Sequence, residues 1–181
     1  MIVLGIDPGT RRLGWGVVER RGTRLVHRGH GVIHADEHQP IASRLVTIER
    51  DLVEVVRAHA PIVASVEALF YAKDAQAAAK LGHARGVVLL VCARAGLEVF
   101  EYAPALVKRA VAGSGRAEKS QVAQMIRVVL GLPSAPPADA ADALALAVTH
   151  LQRPQALILP RPRRERVVQT PAAGIKRGPS G

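Results

Sequence analysis

The first nine residues constrain this chain most. Ile2-Val3-Leu4-Gly5-Ile6 is an unbroken apolar run, and Asp7-Pro8-Gly9 stops it with turn chemistry. A run so short, so apolar and so sharply ended reads as a buried strand. Residues 13–20 and 24–35, rich in Val, Ile, Trp and Gly, read as two more strands joined near Arg21-Gly22. Three strands in succession point to antiparallel neighbours.

The period then changes. Ile41, Leu45, Ile48, Leu52, Val55 and Val56 recur at helical spacing, with Arg44, Glu49, Arg50 and Glu54 on other faces. Residues 62–68 return to strand character. Residues 74–94 form a long Ala-rich helix interrupted only by Gly82 and Gly86, and 97–102 a short strand. Pro104 suits the first turn of the next helix. Gly113-Ser114-Gly115 separates that helix from another at 118–130. A loop at 133–137 precedes a final helix at 139–152. The order β-β-β-α-β-α-β-α-α-α is an α/β layout, with antiparallel strands first and crossover helices later.

One domain over residues 1–152 is expected. Beyond it, residues 153–181 hold five prolines and seven basic residues against Glu165 alone, the composition of a flexible basic tail. That segment carries six of the ten net positive charges, so the body is only mildly basic. Such a balance favours a polyanionic partner without naming it. Met1 leads straight into the first strand without a signal peptide. No apolar run approaches the roughly 20 residues needed to span a bilayer. A cytoplasmic protein is expected, with no membrane partner. Cys92 is the sole cysteine, which rules out a disulfide framework, and its apolar surroundings indicate a buried, inert thiol.

Four of the 15 acidic residues are placed unusually. Asp7 ends the first strand, and Glu67 follows the apolar run 62–66. Asp139 and Asp142 lie three apart, on one face of the last helix. Each has an ordinary explanation. Asp7 before Pro-Gly suits a turn, Glu67 a solvated strand end, Asp139 an N-cap and Asp142 the first turn of a helix. Together they allow another: carboxylates from strand ends and one helix converging at one end of a sheet. Such a cluster repels itself unless hard cations neutralise it, and Mg²⁺ takes oxygen ligands of this kind. Two such ions can activate water and stabilise the departing oxygen of a phosphodiester.

The segment from Gly5 to Gly16, Gly-Ile-Asp-Pro-Gly-Thr-Arg-Arg-Leu-Gly-Trp-Gly, resembles the opening of RuvC-type Holliday junction resolvases. So do Val66-Glu67-Ala68-Leu69-Phe70, the stretch 76–86 with Lys80-Leu81-Gly82-His83-Ala84-Arg85-Gly86, and Glu118-Lys119-Ser120-Gln121-Val122. Ala138-Asp139-Ala140-Ala141-Asp142-Ala143-Leu144-Ala145 completes the set. The motifs fall in the family's order over residues 1–152.

The resemblance implies a ribonuclease-H-like fold: a mixed five-stranded sheet with antiparallel N-terminal strands and flanking helices. It implies structure-selective cleavage of four-way DNA junctions by paired symmetric nicks, in recombination and repair. Asp7, Glu67, Asp139 and Asp142 match the acids that bind two Mg²⁺ ions, with Mn²⁺ as a substitute; relatives vary most at the position of Asp139. Lys108 and Lys119 match residues used near the DNA backbone, and Phe70 an aromatic that stacks on bases at the junction centre. The resemblance also implies a homodimer through the helix at 74–94, and a branch-migration motor partner of the RuvA and RuvB type.

The residues themselves are compatible with those roles. Phe70 and Tyr71 stand together just after Glu67, where an exposed ring can hold an unstacked base or a buried one can fill core. Lys108, Arg109, Arg116 and Lys119 flank the 113–115 loop, and Lys119 opens a helix whose N-terminal amides can receive a phosphate. A solvated face is the ordinary reading of such cations. His83 carries no assignment. Three rivals remain at this level. Asp7-Pro8-Gly9-Thr10 also resembles the first phosphate loop of actin-like and sugar-kinase ATPases, which need a second domain beyond 181 residues. A non-catalytic DNA-binding protein would leave four acids without a purpose. A related nuclease of the same fold acting on RNA or other branched DNA is the third.

Overall fold

The computed structural model describes residues 1–68 and 75–153. Phe70, Tyr71 and the tail from residue 154 onward lie outside the described residues. The elements follow the expected order: β1 (Ile2–Asp7), β2 (Arg12–Arg21), β3 (Arg24–His34), α1 (Ile41–His59), β4 (Val63–Glu67), α2 (Ala75–Arg94), β5 (Glu98–Tyr102), α3 (Pro104–Ala112), α4 (Lys119–Leu130) and α5 (Ala138–Gln152). The strands form one sheet in the order β3-β2-β1-β4-β5. The first three pair antiparallel, while β1–β4 and β4–β5 are parallel. This is the mixed, ribonuclease-H-like sheet that the sequence resemblance implies.

The apolar character of β1 follows from its central place. Successive side chains of a strand point to opposite faces. Leu4 and Ile6 meet Ile48 and Leu52 of α1 and Val88, Val91 and Cys92 of α2. Val3 faces the other way, into a core made with α3, α4 and α5. A fully buried Leu, Ile or Val contributes about 1.5–3 kcal/mol. These two layers, rather than helix propensity, hold the elements in place. Cys92 is buried among them, and burial pushes its thiol up to about 11, in keeping with an inert side chain.

The alternation that puts Val3 on the α5 side does the same for Gly5 and Asp7. In β4, in register with β1, it puts Val63, Ser65 and Glu67 on that side too. Both carboxylates therefore leave the ends of parallel strands on the face that α5 covers. That helix lies unusually close to the sheet. A Cβ at Gly5 would overlap the backbone carbonyl of Ala143, and one at Gly14 the carbonyl of Asp139. Only glycine lets a helix backbone rest on a strand in this way. Eleven of the fifteen residues of α5 are buried, so the helix cannot shift without opening the core. Its far end is fixed by a buried 2.7 Å hydrogen bond between the Tyr102 hydroxyl and His150 Nδ1. Burial, with Arg153 and Arg20 nearby, pushes His150 down to about 4, so it stays neutral at physiological pH. The Arg153 guanidinium lies 4.7 Å from the centre of the Tyr102 ring. Among the described residues no helix is long and apolar enough to cross a membrane.

Candidate active site

A cavity of about 250 Å³ opens at the C-terminal ends of β1 and β4, beneath the start of α5. Asp7, Glu67 and Asp142 line it together with Lys108 of α3 and Lys119 of α4. Pro104, Val107, Val122, Ala145 and Leu146 form its apolar walls. Ligand sites of open α/β sheets collect at this end of parallel strands.

Each acid is delivered by an element that cannot easily move. Asp7 is the last β1 residue and pairs with Gly14 across the ladder, so it belongs to the strand rather than to the following turn. Glu67 is the last residue of β4, opposite Tyr102 of β5. Asp139 lies in the first turn of α5, behind an N-cap at Pro137 that makes no side-chain cap, so Asp139 is not the N-cap. One turn on, Asp142 faces the cavity.

The cluster is electrostatically strained. Burial pushes the Asp7 carboxyl up to about 7, helped by the negative charges of Glu67, Asp142 and Asp139. Burial and then Asp142 raise Glu67, while Lys119 and Lys108 pull it the other way. Lys119 Nζ donates to Asp142 Oδ2 at 2.7 Å. That bond, with the charges of Asp142, Asp7 and Glu67, holds the ammonium above its ordinary value. Asp139 stands apart from the cavity lining, and its Oδ2 lies 3.2 Å from Arg12 Nε.

Oxygen donors crowded into repulsion are the chemistry that hard divalent ions relieve. Here Lys119 and Arg12 balance two of the four acids instead. In this conformation, among the described residues, no three acidic, histidine or cysteine side chains are grouped so as to hold an ion.

The structure brings Lys108 and Lys119 to the acids but leaves Arg116 away from them. Arg116 is exposed beyond α3, its amide donating to Ser114 Oγ at 3.3 Å. Arg109 is likewise exposed, and so is His83 on α2. At the start of α4, the Glu118 side chain accepts from the N3 amide, and the Glu118 amide donates to Gln121 Oε1 at 2.9 Å. That capping box already occupies one of the amides expected to receive a phosphate.

Two residues beside the site carried no role in the sequence. Arg12 is the partner of Asp139. Arg85 of α2 is 6% exposed, and its Nη1 donates to the backbone carbonyl of Glu67 at 2.7 Å. The sequence carried no signal for the second: Lys80 falls on the same stripe of α2 as Ala84 and Val88, and only the packing of the helix leaves Lys80 exposed and Arg85 buried.

Residues 3–150 match the family model described as crossover junction endodeoxyribonuclease RuvC. A crossover junction endodeoxyribonuclease RuvC of Sorangium cellulosum is 61% identical over 151 residues, covering 83% of this chain and 84% of that one. One of Azorhizobium caulinodans is 52% identical over 148 residues, covering 82% and 88%. The structure of T. thermophilus RuvC in complex with Holliday junction substrate superposes with a TM-score of 0.78 at 40% identity, covering 83% of this chain and 93% of that chain. This chain belongs to the RuvC family of crossover junction endodeoxyribonucleases.

Proposed function

We propose that this chain is a divalent-metal-dependent endonuclease that resolves four-way (Holliday) DNA junctions by paired symmetric nicks. The observation that carries the reading is the cavity at the ends of β1 and β4, where Asp7, Glu67 and Asp142 meet between two lysines. The T. thermophilus relative bound to a Holliday junction supports the substrate.

Asp7, Glu67, Asp142 and Asp139 are the residues that would hold the metal. Two Mg²⁺ ions, or Mn²⁺ in their place, supply Lewis-acid stabilisation and an activated water when bound. The protein's own part is to keep the donors crowded on rigid strand ends and a buried helix. Lys119 neutralises Asp142 while the site is free of DNA, then exchanges that carboxylate for a phosphate oxygen. Lys108 sits on the same wall and contacts the backbone beside it. For Phe70 and Tyr71, stacking on bases at the junction centre rests on the sequence resemblance, and for Arg116 a phosphate contact rests on its exposure and charge. Two copies related by a two-fold axis through α2 present two such cavities to strands of like symmetry, which gives paired nicks. The work lies in the cytoplasm, with a branch-migration motor of the RuvA and RuvB type delivering the junction.

Lys119→Ala is expected to weaken junction binding and to lower the slope of log K against log salt by about 1, the loss of one phosphate contact. A titration of binding from low to high salt checks this, and an unchanged slope leaves Lys119 as a partner of Asp142 alone. The function itself is tested by offering the chain a four-way junction, a linear duplex and an RNA–DNA hybrid. Paired nicks in the junction are the expected outcome. Preferential cutting of the hybrid would make this a ribonuclease, and binding without cutting a non-enzymatic protein.

A further inference from the structure

Arg85 is an unusual residue for the buried side of a helix. A buried guanidinium is retained only where its charge and donors are matched. Its two terminal nitrogens reach two neighbouring strands. Nη1 donates to the carbonyl oxygen of Glu67, the last residue of β4, and Nη2 pairs with Glu101 Oε1 on β5. The sheet ladder ends at the same level, where the Ala68 amide donates to the Tyr102 carbonyl at 2.9 Å.

We propose that Arg85 is a positioning residue for Glu67: from α2 it ties the ends of β4 and β5 together and so fixes where the Glu67 carboxylate enters the cavity. This rests on the reading of Glu67 as a metal-binding carboxylate. Its physical basis is the planar fork of arginine, which serves two acceptors on two strands in one fixed geometry; a lysine ammonium keeps the charge without the fork. It also gives α2 a direct line to the site, so a force on that helix reaches Glu67 through a single side chain.

The test uses the full chain as Arg85→Lys, Glu101→Gln and Glu67→Gln. Three quantities are read: junction cleavage against manganese concentration, the manganese-induced rise in unfolding midpoint, and junction affinity in chelator. Supporting groups of a metal site typically change metal affinity or activity by about 10–100-fold when altered. Arg85→Lys is expected to shift half-maximal manganese upward by a factor in that range. It should also reduce the manganese-induced stabilisation and leave junction affinity in chelator unchanged. Glu101→Gln, which leaves Arg85 a neutral acceptor, is expected to shift the same readings less and in the same direction.

A folded Arg85→Lys with wild-type manganese dependence overturns the proposal. If Arg85→Lys does not fold, Glu101→Gln decides, and wild-type manganese dependence in that variant is the overturning result. Glu67→Gln separates this from the reading beneath it. Normal cleavage by Glu67→Gln removes Glu67 from the site whatever Arg85 does. An inactive Glu67→Gln beside an unaltered Arg85→Lys removes only the positioning role.

Discussion

In chelator, Asp7→Asn should be more stable than the wild type at about pH 8, no more stable at about pH 3, and unable to cut a junction at any pH even when metal is restored. The stability half follows from the burial of Asp7. Its carboxyl is pushed up to about 7 in the folded chain, against an ordinary value of 3.8. The folded state therefore holds the proton more tightly than the unfolded state does, and ionisation opposes folding. Well below 3.8 both states are protonated and there is no penalty. The penalty grows as the pH rises through the window from 3.8 to about 7, and it is complete above that window. Its full size is on the order of 4 kcal/mol, at about 1.4 kcal/mol for each tenfold gain in proton affinity. Asparagine has the same shape and no proton to lose, so it removes the penalty along with the ligand. Urea unfolding at several pH values in chelator measures the difference, and a gain that does not vary with pH would mean the carboxyl is not perturbed. A folded protein made less stable by a group it keeps is a common sign of a functional site.

The second large effect is expected from one added methyl. Gly5→Ala places a Cβ against the carbonyl oxygen of Ala143, a backbone atom on a helix buried nearly all round. No flexible side chain can yield there, so α5 must be displaced from β1. Overpacking of a tight core costs typically 1–3 kcal/mol and sometimes more, and a contact of backbone on backbone belongs at the upper end, about 3 kcal/mol. Because α5 carries Asp139 and Asp142, cleavage should fall further than the loss of folded protein explains. Denaturant unfolding and cleavage per folded molecule measure the two parts. A stable, fully active Gly5→Ala would show that the seat of α5 has slack.

Much of this arrangement was legible in the chain. The apolar run of β1 and the change from strand to helical period set out the order of elements, because those patterns are fixed by which faces are buried. Asp7 and Glu67 were visible as acids at the ends of apolar strands. Asp139 and Asp142 were visible as a pair at helical spacing. Their common side of the sheet followed only once the register of β1 with β4 was known. The ion pairs were hidden for the same reason: Lys119 with Asp142 and Arg12 with Asp139 join residues distant in sequence, and no local rule links them. Arg85 looked like an ordinary helical arginine until the crossing of α2 over β4 brought it to a carbonyl. The glycines at 5 and 14 belong to the opening motif, but their role as the seat of α5 needed the helix in place. The cations expected at the DNA fell in different places. Lys108 and Lys119 reached the acids, and Arg116 did not, since nothing in its sequence neighbourhood says which way the 113–115 loop turns its cations.

Junction cleavage by the wild-type chain in chelator, then after return of magnesium or manganese, with Asp7→Asn run alongside, bears most directly on the metal site. If the crowded carboxylates hold divalent ions against a phosphate, the wild type is silent in chelator and is restored by either ion. Asp7→Asn then binds the junction and stays silent throughout. Cleavage that persists in chelator, or that returns equally in Asp7→Asn, would contradict it.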